Sequence, residues 1–418
     1  MLKNFRPCAA AVGSAIAATL GLAIFAAASL HAQTFSVIYA YTGGSGAAHA
    51  IGGLVMDRHG NLYGTTAWGG VDTPGNVYEL ERTSSGFVYN ELFASGSGAK
   101  GDFPWDAPTF GPNGSLYASM NGGGTSGEGT IVNLQPPASF CRTTSCPWNA
   151  TDLYNFKRAS DGGNPQSGVV FDSHGNMCGA VVNGGSGYGV VYEMTPSGDG
   201  WTYQVIYTFT GGADGANPDS PLIIDSAGNL YGAAMSGGQS GCGGFGCGTI
   251  YKLSPSGSGW TETTIYSFKD GTDGSAPSGT LVTDSAGNIY GATAGSDANV
   301  GGTVFELTPS GGSWTFTLIY DLPGSGAGPF GGVARDSAGN LYGATWGDGA
   351  YGQGNVFKLT PTGSGWTFTS LHDFTNGTDG SNAMGAPIVD SNGVVYGTTY
   401  DGGAPVCGGC GVVYEVTP

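Results

Sequence analysis

Charge is scarce in this chain: 10% of its 418 residues are Asp, Glu, Lys or Arg, and only 12 are basic. Thirty acidic residues leave a net charge of −18. So few cations exclude partners held through phosphate, so neither nucleic acid nor an anionic membrane face is expected. Familiar catalytic patterns are missing as well. There is no Gly-x-Ser-x-Gly elbow, no His-Glu-x-x-His, and no glycine-rich loop ending in Lys-Ser or Lys-Thr. His49, His59, His174 and His372 follow no zinc-ligand spacing. His49, on the first blade-crossing loop, is a candidate general base, a merely solvated loop histidine being the alternative. Long apolar runs are confined to the first 30 residues.

What the chain has in excess is glycine, 81 residues. A glycine load of this kind can mean disorder, but regularly spaced aromatic and β-branched runs mark these glycines as turns. One phrase recurs as Asp225-Ser-Ala-Gly-Asn-Leu-Tyr-Gly232, Asp284-Ser-Ala-Gly-Asn-Ile-Tyr-Gly291 and Asp336-Ser-Ala-Gly-Asn-Leu-Tyr-Gly343, with a further copy from Asp57 to Gly64. Weaker copies end at Ala118, Gly179 and Gly397. The turn glycines Gly60, Gly114, Gly175, Gly228, Gly287, Gly339 and Gly393 are 54, 61, 53, 59, 52 and 54 residues apart. A period near 50 built from strand-like units signals a radial or stacked repeat array.

The repeat at 221–268 reads as four strands. Pro221 to Asp225 forms an inner strand and 226–229 a turn. Leu230 to Met235 is the second strand, Gly248 to Leu253 the third, and Trp260 to Phe268 the fourth, with Ser254 to Gly259 as the connection between the last two. Seven such units predict an all-β fold, a seven-bladed propeller of four-stranded antiparallel blades. The last unit stops after its third strand, while Thr34 to Tyr41 has the fourth-strand pattern, so the N-terminal strand is expected to complete the C-terminal blade. That closure leaves no exposed edge. The recurring Trp and Tyr positions are expected to pack blade against blade, and Cys178, in a Tyr position, to be a buried free thiol.

Lys3, Arg6 and the uncharged Ala9 to Leu30 run form an export signal, placing the boundary at 1–32 and the propeller at 33–418. A membrane anchor is the competing reading of that apolar run. An oxidising compartment suits the cysteines, which pair by proximity as Cys141 with Cys146, Cys242 with Cys247, and Cys407 with Cys410. Zinc is the rival reading of the Cys-Gly-Gly-Cys stretch.

With the repeat laid out, the chain resembles the bacterial choice-of-anchor tandem repeat family called GloVer. The Asp-Ser-Ala-Gly-Asn-Leu-Tyr-Gly phrase carries this, together with Gly302-Thr-Val-Phe-Glu-Leu-Thr-Pro309 and the Trp strand ending in Ile-Tyr-Ser-Phe268. The resemblance implies a secreted or surface-attached repeat protein and brings no catalytic residues.

Sequence varies most on the face carrying the second-to-third-strand loops and the blade crossings. The aromatic residues of that face, Trp68, Trp105, Tyr188, Trp346, Tyr351 and Tyr400, are candidates for stacking on sugar rings. Asp161, Asp214, Asp273 and Asp379, each followed by Gly, recur on the crossings. They suggest an acidic, glycine-lined face whose natural guest is Ca²⁺, ordinary Asp-Gly turn chemistry being the alternative. The expected function is a secreted, monomeric, non-enzymatic propeller that binds a glycan or protein. An extracellular polysaccharide lyase or hydrolase on the same scaffold is the alternative, and a purely structural attachment module is a third reading.

Overall fold

A computed structural model describes residues 33–43, 47–69, 74–96, 101–137, 147–269, 271–295, 301–324 and 328–418. The expected signal segment and the Cys141–Cys146 pair lie outside them. Among the described residues no helix is long and apolar enough to cross a membrane. The chain forms a seven-bladed propeller of four-stranded antiparallel blades. Blades 1 to 6 are drawn from residues 54–94, 102–155, 170–208, 216–267, 277–321 and 334–373. Blade 7 combines 388–417 with the N-terminal strand Thr34–Ala40, which runs antiparallel to Val412–Thr417.

Every fourth strand carries the same irregularity. In blade 4 the register slips between Ile250 and Tyr251, leaving Ile265 as an extra residue. Leu92, Leu153, Ile206, Ile319 and Leu371 occupy the corresponding place in the other blades. The N-terminal strand repeats the slip at Ile38, so it is the fourth strand of blade 7 in detail as well as in position. A bulge of this kind sharpens the right-handed twist of a strand pair.

Blade 4 refines the strand limits. Its third and fourth strands are Thr249–Ser256 and Gly259–Ser267, so the connection is the two residues 257 and 258 rather than the six expected at 254–259. The Ser-Pro-Ser-Gly composition there reads as loop, but only Gly257, at φ 60°, takes a turn conformation the ladder cannot absorb. The inner strand is shorter than expected, Ile223–Ile224, with a second short segment, Ala216–Pro218, pairing on the same neighbour.

The repeated phrase has a local cause. Asp225 Oδ1 accepts the N–H groups of Ala227 and Asn229, and Oδ2 accepts the Asn229 side-chain amide and the Tyr231 hydroxyl. Asp284 repeats all four bonds. Burial alone would raise these carboxyl pKa values. The Asn and Tyr hydrogen bonds outweigh it and hold Asp225, Asp284 and Asp336 below the usual carboxylate range.

The final glycine of the phrase answers to the third strand. Gly64, Gly179, Gly232, Gly291, Gly343 and Gly397 lie opposite Tyr78, Tyr192, Tyr251, Phe305, Phe357 and Tyr414. A Cβ on any of these glycines would come within 2.2–2.6 Å of the facing ring or its hydroxyl. Blade 2 alone has Ala118 there, and its partner is Val132.

Seven apolar clusters each sit at one blade-to-blade interface, so there is no single central core. Second-strand tyrosines meet a Trp of the next blade edge-on: Tyr117 with Trp201, Tyr231 with Trp314, and Tyr290 with Trp366. Cys178 is buried and free, as expected, while Cys242–Cys247 and Cys407–Cys410 are disulfides.

Candidate functional site

Six of the seven blades enter the inner strand in the same way, eight residues before the turn aspartate, or before Gly111 in blade 2. His49, Phe103, Asn164, Asn217, Ala276 and Asn382 all sit there with φ between 51° and 58°. Their N–H groups donate to a carbonyl of the preceding blade, for example Asn217 to Tyr188 O, Asn382 to Gln353 O and His49 to Cys410 O. The asparagine side chains add a second tie. Asn164 Nδ2 donates to Asn121 O at 3.0 Å, Asn217 Nδ2 to Val182 O at 3.2 Å and Asn382 Nδ2 to Trp346 O at 2.9 Å. His49 makes the same bond with a different side chain, its Nδ1 lying 2.9 Å from Tyr400 O. A carbonyl can only accept, so Nδ1 carries the proton, and Nε2 is left outside the tie.

Two residues further on, a ring of side chains converges on the axis. Ile51, Trp105, Gln166, Asp219, Ser278, Phe330 and Met384 occupy this one place in blades 1 to 7, and all seven line a central cavity of about 520 Å³. In a chain whose turns are near copies, no two of these residues are alike. The adjoining position supplies glycine in four blades, which lets inner strands close on one another. A Cβ on Gly331 would lie 2.0 Å from Ala386 N. In blade 2 that position is Asp106.

Asp106 is tied across blades. Its Oδ1 accepts the Ala107 N–H at 2.7 Å and its Oδ2 the Gly168 N–H of blade 3 at 2.8 Å. Burial raises its pKa, and the Gly168 and Ala107 bonds oppose the rise without cancelling it. Asp219 has less support. Burial pushes its pKa up to about 7, opposed by a bond from its own backbone N–H and reinforced by the nearby charge of Asp106. Its Oδ1 is buried with no hydrogen-bond partner. Both aspartates escape a motif search because neither belongs to a repeated phrase. Counting back six residues from each turn aspartate, or from Gly111 in blade 2, finds Asp219, Gln166 and Trp105, and Asp106 follows as the next residue.

The six loop aromatics do not form one platform. Trp105 is in the channel ring. Trp346 and Tyr400 pair with ring centres 5.5 Å apart, and Tyr400 lies 4.6 Å from the His49 ring. Trp68, 48% exposed, meets Phe103 edge-on at 4.9 Å instead. Tyr188 covers Gly211, and Tyr351 stands 63% exposed.

Asp161, Asp214, Asp273 and Asp379 are not gathered either; each closes its own crossing. Tyr154, Tyr207 and Tyr266 donate their hydroxyls to Asp161, Asp214 and Asp273 at 2.8, 3.0 and 2.9 Å. His372 Nε2 is 3.0 Å from Asp379. A loop N–H, from Lys157, Thr210, Lys269 or Thr375, completes each one. Among the described residues no group of three or more His, Cys, Asp or Glu side chains is assembled as a metal shell.

No curated protein matches the chain. Among solved structures it is similar to a candidate 6-phosphogluconolactonase of Bacteroides uniformis, with TM-score 0.50 and 13% identity over 81% of this chain and 88% of that one. It is also similar to the extracellular domain of a candidate hybrid two-component system of B. thetaiotaomicron, with TM-score 0.54 and 11% identity over 92% of this chain but 42% of the other. At such identities the likeness is one of fold alone. The Gloeobacter/Verrucomicrobia repeat matches residues 145–320 and 186–414, well over half of the sequence. The repeats and the ring they build therefore place the chain in the Gloeobacter/Verrucomicrobia repeat family.

Proposed function

We propose that this protein is an exported binding propeller whose ligand is a glycan, taken at the mouth of the central channel. One observation supports the reading: the ring formed by Ile51, Trp105, Gln166, Asp219, Ser278, Phe330 and Met384 holds seven different residues at one position that recurs in every blade. Symmetry is kept where residues serve packing and abandoned where seven side chains face a common space. That space has the volume of a small-molecule site, and it mixes apolar walls with a few polar groups. Trp105 in the ring and the Trp346–Tyr400 pair on the same face offer flat surfaces to sugar C–H groups. Export is supported by the two disulfides, which suit an oxidising compartment.

Affinity electrophoresis through gels carrying a panel of polysaccharides tests the reading, with retardation by at least one polymer expected. Trp105→Ala and Trp346→Ala should each weaken that retardation by about five- to tenfold, the factor for roughly 1–1.4 kcal/mol of lost ring contact. Unchanged retardation in both variants would remove the stacking role.

A second reading, hydrolysis or elimination on the same glycan, draws on Asp106 and Asp219, two carboxylates lining one channel. Shortened or unsaturated polymer recovered from the retarded lanes would favour it over binding alone.

A further inference from the structure

The channel ring is divided in two. Phe330, Met384, Ile51 and Trp105, from the consecutive blades 6, 7, 1 and 2, form an apolar arc, and Gln166, Asp219 and Ser278, from blades 3, 4 and 5, form a polar one. Asp106 stands at the border between them. Both ionisable groups near the polar arc are acids. Arg335, the basic residue among the described lining, turns away, with its guanidinium carbon 5.7 Å from the centre of the Tyr290 ring.

Two features separate this pair from an ordinary acidic patch. Asp106 has a backbone donor for each oxygen, so its carboxylate is fixed in place. Asp219 Oδ1 is buried with no donor, and an unsatisfied buried acceptor costs about 1–3 kcal/mol. The group that would satisfy it has to donate hydrogen bonds, carry positive charge and fit between an apolar arc and neutral polar side chains. A fully hydrated metal ion does not match an apolar arc. An ammonium attached to a ring with one C–H face does, because the ring can lie on Trp105 while its hydroxyls reach Gln166 and Ser278.

We propose that the channel mouth selects an amino sugar, a 2-amino-2-deoxyhexose unit whose protonated amine is held by Asp219 and Asp106. This rests on the reading of the mouth as a glycan site and narrows it to a cationic glycan. The charge-assisted bond is what discriminates. An N-acetylated unit has no charge to offer the two carboxylates and brings an acetyl group into the space the ammonium would fill.

The test is calorimetric titration of the protein at pH 7 with a glucosamine tetramer and, separately, an N-acetylglucosamine tetramer. The wild type is expected to bind the amine oligomer at least about tenfold more tightly, the factor for a charge-assisted hydrogen bond. In Asp219→Asn the ratio of the two affinities should fall to about one. The wild-type ratio stands on its own if that variant does not fold. A ratio near one or below in the wild type, or an undiminished ratio in Asp219→Asn, would overturn the amine proposal. Failure of both tetramers while another polysaccharide retards the protein would overturn it too, and leave the glycan reading intact. Silence across the whole polysaccharide panel would overturn both.

Discussion

Gly343→Ala is expected to destabilise the propeller by about 1–3 kcal/mol, the usual cost of overpacking a filled site. The same Gly343→Ala change should cost little once Phe357→Val has removed the ring. Gly343 lies opposite Phe357 across the second and third strands of blade 6. An added Cβ would sit 2.3 Å from the ring Cζ, far inside contact distance, and the ring is fully buried and cannot swing out to solvent. Phe357→Val alone should cost about 2–3 kcal/mol for lost burial and the cavity it leaves. The double variant recreates the pairing already present as Ala118 and Val132 in blade 2. The two changes should therefore couple by more than about 1 kcal/mol in a double-mutant cycle read from urea midpoints. Strict additivity would mean that the aromatic ring does not dictate the glycine.

That pairing explains why the fold is so legible in the sequence. The turn Asp, Asn, Tyr and Gly are each demanded by a contact made within one blade, so each blade writes them again. Seven copies then fix the strand count, and the incomplete last copy points to the N-terminal strand as its partner. The third-to-fourth-strand connection is less legible, because Ser254 to Gly259 has loop composition while its backbone continues the ladder to Ser256.

The candidate site is written differently. Asp106 and Asp219 come from blades that are not neighbours and are brought to one cavity only by closure of the ring. Within their own stretches, Trp105-Asp-Ala and Pro218-Asp-Ser resemble turns. His49 shows the reverse case. As a lone loop histidine it suggests chemistry, yet its Nδ1 does for blades 7 and 1 what Asn217 does for blades 3 and 4.

The channel acids make stability depend on pH in a way that one substitution can isolate. Asp219 has its pKa raised by burial, and by the Asp106 charge, to about 7 in the folded chain, against about 4 for a free aspartate. The folded state therefore prefers the protonated carboxyl. The stabilisation this contributes is complete below about pH 4 and is lost as pH rises through about 7, amounting to about 2–4 kcal/mol. Asp219→Asn keeps the shape and cannot ionise. Its stability relative to wild type should accordingly climb between about pH 4 and about pH 7 and level off above. On the acid side the sign reverses. Asp225, Asp284, Asp336 and Asp379 have depressed pKa values once their hydrogen bonds overcome the effect of burial. Their contribution is present above pH 4 and disappears as pH falls through the lowered values, in wild type and Asp219→Asn alike. Melting curves of the two proteins should thus run parallel at low pH and diverge toward high pH. A constant gap across the whole range would show that Asp219 ionises as an ordinary aspartate, with water from the channel solvating its charge.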